Sequence, residues 1–267
     1  VKIYILVDAE GITGVVDQEL QVTPDSPRYE EMRKLFMSDL NAAVQGALEA
    51  GADEIVVYDM HFYGHNAILD ALHPAAKIVM GKPPKIRQPA GIDGSFQALF
   101  MIGYHSMAGT GGLLNHTYTL DMKSLRLNGV LMGEIGLEAA MAGFHGVPLT
   151  LISGDDEAER EAAELLGDVE FACVKRGTGA RTALCLPPSE TARLIREKAG
   201  RALSRLGDFK PYSTSAPYTI EVSFFEAASA KRAASISGVQ REDELTVELK
   251  GDDLPALWES FLSAHTF

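Results

Sequence analysis

"KIYILVDAEGITG", residues 2–14, runs an almost unbroken apolar stretch into two carboxylates standing one residue apart. Residues 2–7 are short, β-rich and show no polar–apolar alternation. That pattern belongs to a strand buried on both faces, as in a parallel sheet with helices on each side. Asp8 and Glu10 stand where the apolar pattern stops. In extended chain, residues i and i+2 point the same way, so both carboxylates face one direction just past the strand's C-terminal end. In open parallel sheets, ligands bind in the crevice beyond those ends.

Working outward, residues 28–50 read as an amphipathic helix, with Met32, Leu35, Phe36, Leu40, Ala43 and Ala47 near helical spacing and Gly51 as its stop. "DEIVVYD" (53–59) reads as a second strand, a helix is predicted from Asn66 to His73 ahead of Pro74, and "AKIVMG" (76–81) and "ALFMIGYH" (98–105) supply two more strands. Asn128-Gly129 within "KSLRLNGVLMG" is a strong hairpin signal. Residues 134–146 form a predicted helix closed by glycine, "PLTLISG" (148–154) another strand, and 156–166 a charged helix. Beyond Pro187-Pro188 the character changes: a helix over 189–206, alternating strands at 218–225 and 244–250, and a final helix over 252–265. The expected fold is α/β, with a mainly parallel central sheet flanked by helices. Residues 1–187 are read as the metal-binding catalytic domain and 188–267 as a smaller α+β subdomain.

Composition narrows the function. With 267 residues, 46% hydrophobic and 23% charged, the chain can bury a sizeable core. Its 24 basic and 37 acidic residues give a net charge of −13, and no basic stripe is present, which argues against a nucleic-acid binder. The acidic surplus suits solubility, and also a site that welcomes cations or amines. Two cysteines, Cys173 and Cys185, make neither a metal-type pair nor a disulfide framework, so a reducing compartment is expected. A strand beginning at residue 2 or 3 leaves no room for a leader, and no apolar stretch approaches a membrane span. The expectation is a cytoplasmic protein without nucleic-acid or membrane partners.

The chemistry gathers at the strand ends. The second strand closes on Asp59 and His61, again at i and i+2, and the fourth on His105. Three strands thus deliver Asp8, Glu10, Asp59, His61 and His105 to one sheet edge. Each has a plainer reading alone: a turn former, a helix cap, a hydrogen-bonded structural histidine. Together they form the usual donor set for a divalent transition metal. Two carboxylates on one side repel unless a cation lies between them or one is protonated. His116, after the glycine-rich "AGTGG" loop, and Glu134, at a helix start, join on weaker grounds. No Gly-Lys-Ser/Thr follows that loop, so it reads as a pocket wall rather than a phosphate cradle.

The segments "VDAEGITG", "YDMH", "GYHSMAGT", "NHT", "GEIGLEA" and "LISGDD", in that order, resemble the D-aminopeptidase family of metallopeptidases, family M55. The resemblance runs from Val7 to about Pro187 and weakens towards the C-terminus. It implies two zinc ions per subunit held by Asp8, Glu10, His61, His105 and Glu134, with Asp8 bridging them and His116 as the catalytic residue. It also implies a homodecamer enclosing its active sites and acting on short peptides, D-residue peptides among them. The donor types themselves admit Mn2+ or Co2+ as readily as Zn2+. A metal pair polarises a carbonyl and activates water, which leaves His116 as proton donor or oxyanion stabiliser rather than nucleophile. Two other readings stay open at this point: a metal-dependent hydrolase of another amide or a phosphoester, and a non-catalytic peptide-binding component linked to transport.

The remaining polar residues receive plainer expectations. Asp155 and Asp156 are candidates to bind the substrate amine, with helix capping as the alternative. Asp59 is a turn residue or a partner that orients a histidine. Lys175 and Arg176, after a strand, are candidates to touch a peptide carboxylate, with a solvated face as the favoured alternative, and His65, His73, His145 and His265 are expected away from the chemistry.

Overall fold

Along the first strand, β1 (Lys2–Val7), side chains alternate between two apolar cores. Ile3, Ile5 and Val7 enter one; Tyr4 and Leu6 enter the other. Both faces are therefore buried, which is why the strand lacks polar alternation. Each fully buried aliphatic side chain contributes about 1.5–3 kcal/mol of transfer free energy. The computed structural model describes residues 1–81, 91–179 and 181–266.

After β1 come α1 (Tyr29–Glu49), β2 (Glu54–Asp59), β3 (Ala76–Val79), β4 (Ala98–Tyr104), the hairpin β5 (Met122–Leu127) and β6 (Val130–Met132), and α2 (Glu134–Phe144). There follow β7 (Leu149–Asp155), α3 (Asp156–Leu166), β8 (Glu170–Gly179), β9 (Thr182–Cys185) and α4 (Pro188–Ser204). The chain closes with β10 (Tyr218–Phe224), α5 (Ala227–Ala233), β11 (Val239–Arg241), β12 (Thr246–Gly251) and α6 (Leu254–Thr266). A seven-stranded sheet has the order β3-β2-β1-β4-β7-β8-β9, parallel except for the edge strand β9. From β1 the chain winds outward through β2 and β3, then returns to β4 and winds the other way. The boundary between β1 and β4 is thus the topological switch point, where a crevice opens past the strand ends.

α1 and α4 cover one face of this sheet; α2 and α3 cover the other. A second, antiparallel sheet has the order β11-β12-β10-β5-β6. Strand β10 alternates strictly, Tyr218, Ile220, Val222 and Phe224 facing a third core with Trp258 and Phe261 of α6. α2 lies between the two sheets. Ile135 and Ala139 pack against the first, Leu137 and Met141 against the second, and the helix is buried nearly all round.

The α/β class and mainly parallel sheet match the expectation. The two sheets do not part at residue 187, however: β5, with β6 along its other edge, reaches forward to pair with β10, while α4 packs on α1 in the first layer. The Asn128-Gly129 turn has φ of 49° and 81°, the left-handed pair a two-residue hairpin requires. The helix predicted over 66–73 is only a short turn, Leu69–Ala71. The cause is local: the Asp59 carboxylate takes the amide N–H groups of Asn66 and Ala67, at 2.6 and 2.9 Å, and holds the chain in a tight loop. No helix among the described residues is long and apolar enough to cross a membrane.

At the switch point the backbones touch. Gly11 N–H donates to the Gly103 carbonyl at 2.7 Å. A Cβ on Gly11 would lie 2.0 Å from the Tyr104 carbonyl oxygen, and one on Gly103, whose φ is +78°, 2.4 Å from that of Asp8. These two glycines let the ends of β1 and β4 meet without side chains between them. Gly11→Ala is expected to destabilise the fold by about 2–4 kcal/mol, because rigid backbone rather than a flexible side chain must yield. Chemical denaturation measures it, and a variant as stable as the parent removes the close approach as a constraint.

Candidate metal centre and active site

Each strand leaves its chemistry just beyond its last residue. Asp8 and Glu10 follow β1, His61 follows β2, and His105 follows β4. Glu134 opens α2, and His116 comes from the loop between β4 and β5. The structure brings all six together. His61 Nδ1 lies 3.1 Å from both Asp8 Oδ1 and Glu10 Oε2. His105 Nε2 lies 3.5 Å from Asp8 Oδ2 and 3.5 Å from Glu134 Oε1. The His116 ring stacks on that of His105, 4.1 Å between centroids and 11° from parallel. Asp8 thus sends its two oxygens to two different imidazoles.

The histidine tautomers follow from backbone partners. His61 Nε2 donates to the Val22 carbonyl at 2.8 Å, His105 Nδ1 to that of Ser106 at 3.0 Å, and His116 Nδ1 to that of Leu114 at 2.9 Å. A carbonyl can only accept, so each ring commits one N–H outward and keeps its other nitrogen for the cluster. Asp8 Oδ2, Glu10 Oε2 and His105 Nε2 are buried with no hydrogen-bond partner. Donor atoms of Asp8, Glu10 and His105 all lie within 4.8 Å of one another, as do those of His105, His116 and Glu134. Three buried, unpartnered donors converging in this way fit a divalent cation.

The ionisation equilibria express the same tension. Burial and then repulsion from Glu10 raise the Asp8 carboxyl. Burial also pushes Glu10 up, but the attraction of the His61 imidazole outweighs it and holds Glu10 well below the usual carboxylate range. Burial lowers the two imidazoles, yet the surrounding carboxylates win: His61 is driven well above its ordinary value and His105 up to about 10. The carboxylates demand positive charge, and imidazolium protons are the substitute for a metal. Glu134 is lowered against its own burial, by His105 first and also by the Tyr118 N–H it accepts at 2.7 Å.

Behind the cluster stand residues whose role the sequence reading missed. Lys175 lies inside β8 and is 1% exposed, not on a solvated face. Its Nζ donates to the carbonyls of Glu10, Ile12 and Val15 at 2.6, 2.9 and 2.5 Å. From the other side, Asp39 of α1 accepts the Thr13 amide N–H and hydroxyl, both at 2.9 Å. An anion and a cation thereby pin the loop that carries Glu10. The signal for Asp39 was present: a carboxylate three residues after Phe36, on the helix's apolar face. Lys175 had none, because pleat direction is invisible in one strand. Glu161 of α3 accepts the Met107 N–H at 2.6 Å and that of Gly133, tying the loop after His105 to the start of α2.

The remaining candidates separate cleanly. Asp59 is a turn residue: Asn66 Nδ2 links its carboxylate to the His61 carbonyl, at 2.8 and 2.7 Å. Asp155 caps α3 through the Ala158 N–H, and Asp156 accepts from the Gly177 N–H. His265, expected to be irrelevant, lines the same cavity as the cluster.

Carboxylates and imidazoles gathered at the switch point of a parallel sheet define a hydrolase-type metal site. A model of the D-aminopeptidase family, peptidase family M55, matches residues 1–263, and the chain belongs to that family of peptidases. A D-aminopeptidase from Bacillus subtilis (strain 168) is 29% identical over 262 residues, 98% of this chain and 95% of the relative. The solved structure of the zinc-dependent D-aminopeptidase DppA from Bacillus subtilis, described as a self-compartmentalizing protease, superposes with a TM-score of 0.94 at 29% identity. That match covers 100% of this chain and 99% of the other. A peptidase fold over the whole length sets aside the transport-linked binding component.

Burial raises Asp39 from its ordinary value to about 6, against the two Thr13 hydrogen bonds. A carboxyl raised on folding binds its proton more tightly in the native state, so stability falls as pH climbs from the unfolded value through about 6. Wild type is expected to lose roughly 3 kcal/mol over that window that Asp39→Asn does not lose. Denaturation midpoints of both proteins at pH 4 to 7 measure the difference, and parallel profiles contradict it.

Proposed function

We propose that the chain is a zinc-dependent aminopeptidase, cutting the N-terminal residue from short peptides, those with D-residues included. Asp8, Glu10, His61, His105 and Glu134 would hold two zinc ions, with Asp8 shared between them. The observation that carries this reading is the set of unpartnered buried donors, Asp8 Oδ2, Glu10 Oε2 and His105 Nε2, aimed at one another. When bound, zinc supplies Lewis acidity that polarises a carbonyl and makes water nucleophilic near neutral pH.

The chain's own groups do the rest. His61, His105 and His116 each turn one nitrogen inward because a backbone carbonyl fixes the other. His116 rests on His105, beside Glu134 and within the cavity. Water adds to the scissile carbonyl carbon and the C–N bond breaks. His116 Nε2 takes the proton lost by the water and passes it to the departing nitrogen. The His116 Nε2–H also meets negative charge developing on the carbonyl oxygen. Kinship with a self-compartmentalizing protease supports a homodecamer, and two free thiols suit the cytoplasm.

Three measurements test this. Metal analysis of purified protein should return about two zinc ions per chain. Chelation should abolish release of amino acids from short peptides, and added zinc should restore it. His116→Ala should keep its metal and lose about 10²–10⁴-fold in kcat. A metal-replete His116→Ala with near-full turnover removes His116 from the chemistry.

A further inference from the structure

The cavity over the cluster has a volume of about 530 Å3. Asp8, Glu10, His61 and Glu134 come to it from the first sheet and its helix α2, while Arg232 on α5 and His265 on α6 come from the second. Apolar side chains, Met60, Phe62, Tyr63, Leu120 and Leu262, line the cavity as well.

The second set is organised around Asp121. Its Oδ1 accepts from the Thr119 hydroxyl at 2.6 Å and lies 3.5 Å from His265 Nε2. Its Oδ2 lies 3.3 Å from Arg232 Nη2, which also donates to Ser229 Oγ at 2.9 Å. Burial works against the charge of Asp121, but hydrogen bonds from Thr119 and Ser229 and the nearby His265 imidazole prevail and keep its carboxyl below the ordinary value. Arg232 is therefore anchored through a single nitrogen. Its Nε and Nη1 make no hydrogen bond among the described residues, and its side chain is 64% exposed.

Arg232 is also the one lysine or arginine among the described lining residues, against the carboxylates of Asp8, Glu10, Asp121 and Glu134. A substrate with a free carboxylate is repelled by those carboxylates, and away from the cluster Arg232 is the permanent cation of the described wall. Guanidinium donors in a fixed plane match a carboxylate better than any other side chain. The geometry points to Arg232 as the docking point for the C-terminal carboxylate of the peptide, with Asp121 and Ser229 as the residues that hold it in place. The enzyme then selects short peptides with an unblocked C-terminus, whose far end reaches Arg232 while the first peptide bond lies at the cluster. This specificity rests on the aminopeptidase reading above.

The test compares alanyl-alanine and trialanine with their C-terminal amides, each in both chiralities. Wild type is expected to show a KM about tenfold lower for the free acid, the scale of one partly solvated charge-assisted pair, with a smaller change in kcat. In Arg232→Gln that acid-to-amide ratio should fall close to one through a rise in the KM of the acid, and Arg232→Lys should keep part of it. Zinc content and circular dichroism establish that each variant is folded. Equal KM values in wild type, or a ratio that survives in Arg232→Gln, overturn the role of Arg232 and leave the peptidase reading standing. Cleavage of neither acid nor amide overturns both.

Discussion

Asp8 divides its carboxylate between His61 and His105, and the electrostatics of the pocket rest on that division. Asp8 and Glu10 are both buried and only two residues apart in sequence, and Glu134 joins them through His105. Two unit charges about 4 Å apart interact by roughly 4 kcal/mol even at an effective dielectric near that of a protein surface. Such a set is stable only around positive charge. The fold's task is to hold anions where water cannot screen them, so that a cation is bound tightly and a substrate carbonyl meets a strong local field.

The backbone performs that task before any side chain does. β1 and β4 are adjacent because the winding reverses between them, and Gly11 and Gly103 let their ends close to hydrogen-bonding distance. Lys175 then clamps the turn through its carbonyls and Asp39 through Thr13. Glu161 ties the His105 loop to the first turn of α2. Below Glu134, one helical turn on, Glu138 is driven well above its ordinary value by burial and by Glu134 itself, and receives the Tyr104 hydroxyl.

Much of this was legible in the sequence, and the limits have physical causes. The i, i+2 pairing of Asp8 with Glu10 depends only on strand geometry, so it survived intact. His61 and His105 were readable because parallel strands end on a common edge. The placements that failed depend on tertiary partners. Nothing local shows that Asp59 would take the amides of Asn66 and Ala67 and forestall a helix. Nor does a strand reveal which face Lys175 occupies. The pairing of β5 with β10 joins segments some 90 residues apart, and the fall in local character after Pro187 concealed it. His265 sits in the cavity because α6 folds back over the second sheet, a fact of topology rather than of motif.

That long-range pairing has a consequence for the order in which the molecule becomes whole. During synthesis the β5–β6 hairpin emerges long before β10, so one of its edges stays open until the last third of the chain leaves the ribosome. α2, packed between the two sheets, lacks one of its supports for the same interval. Arg232 and His265 arrive later still. A nascent chain can therefore display its anionic cluster without the wall that completes the cavity, and the finished peptidase comes into being only once its C-terminal segment has closed over the site.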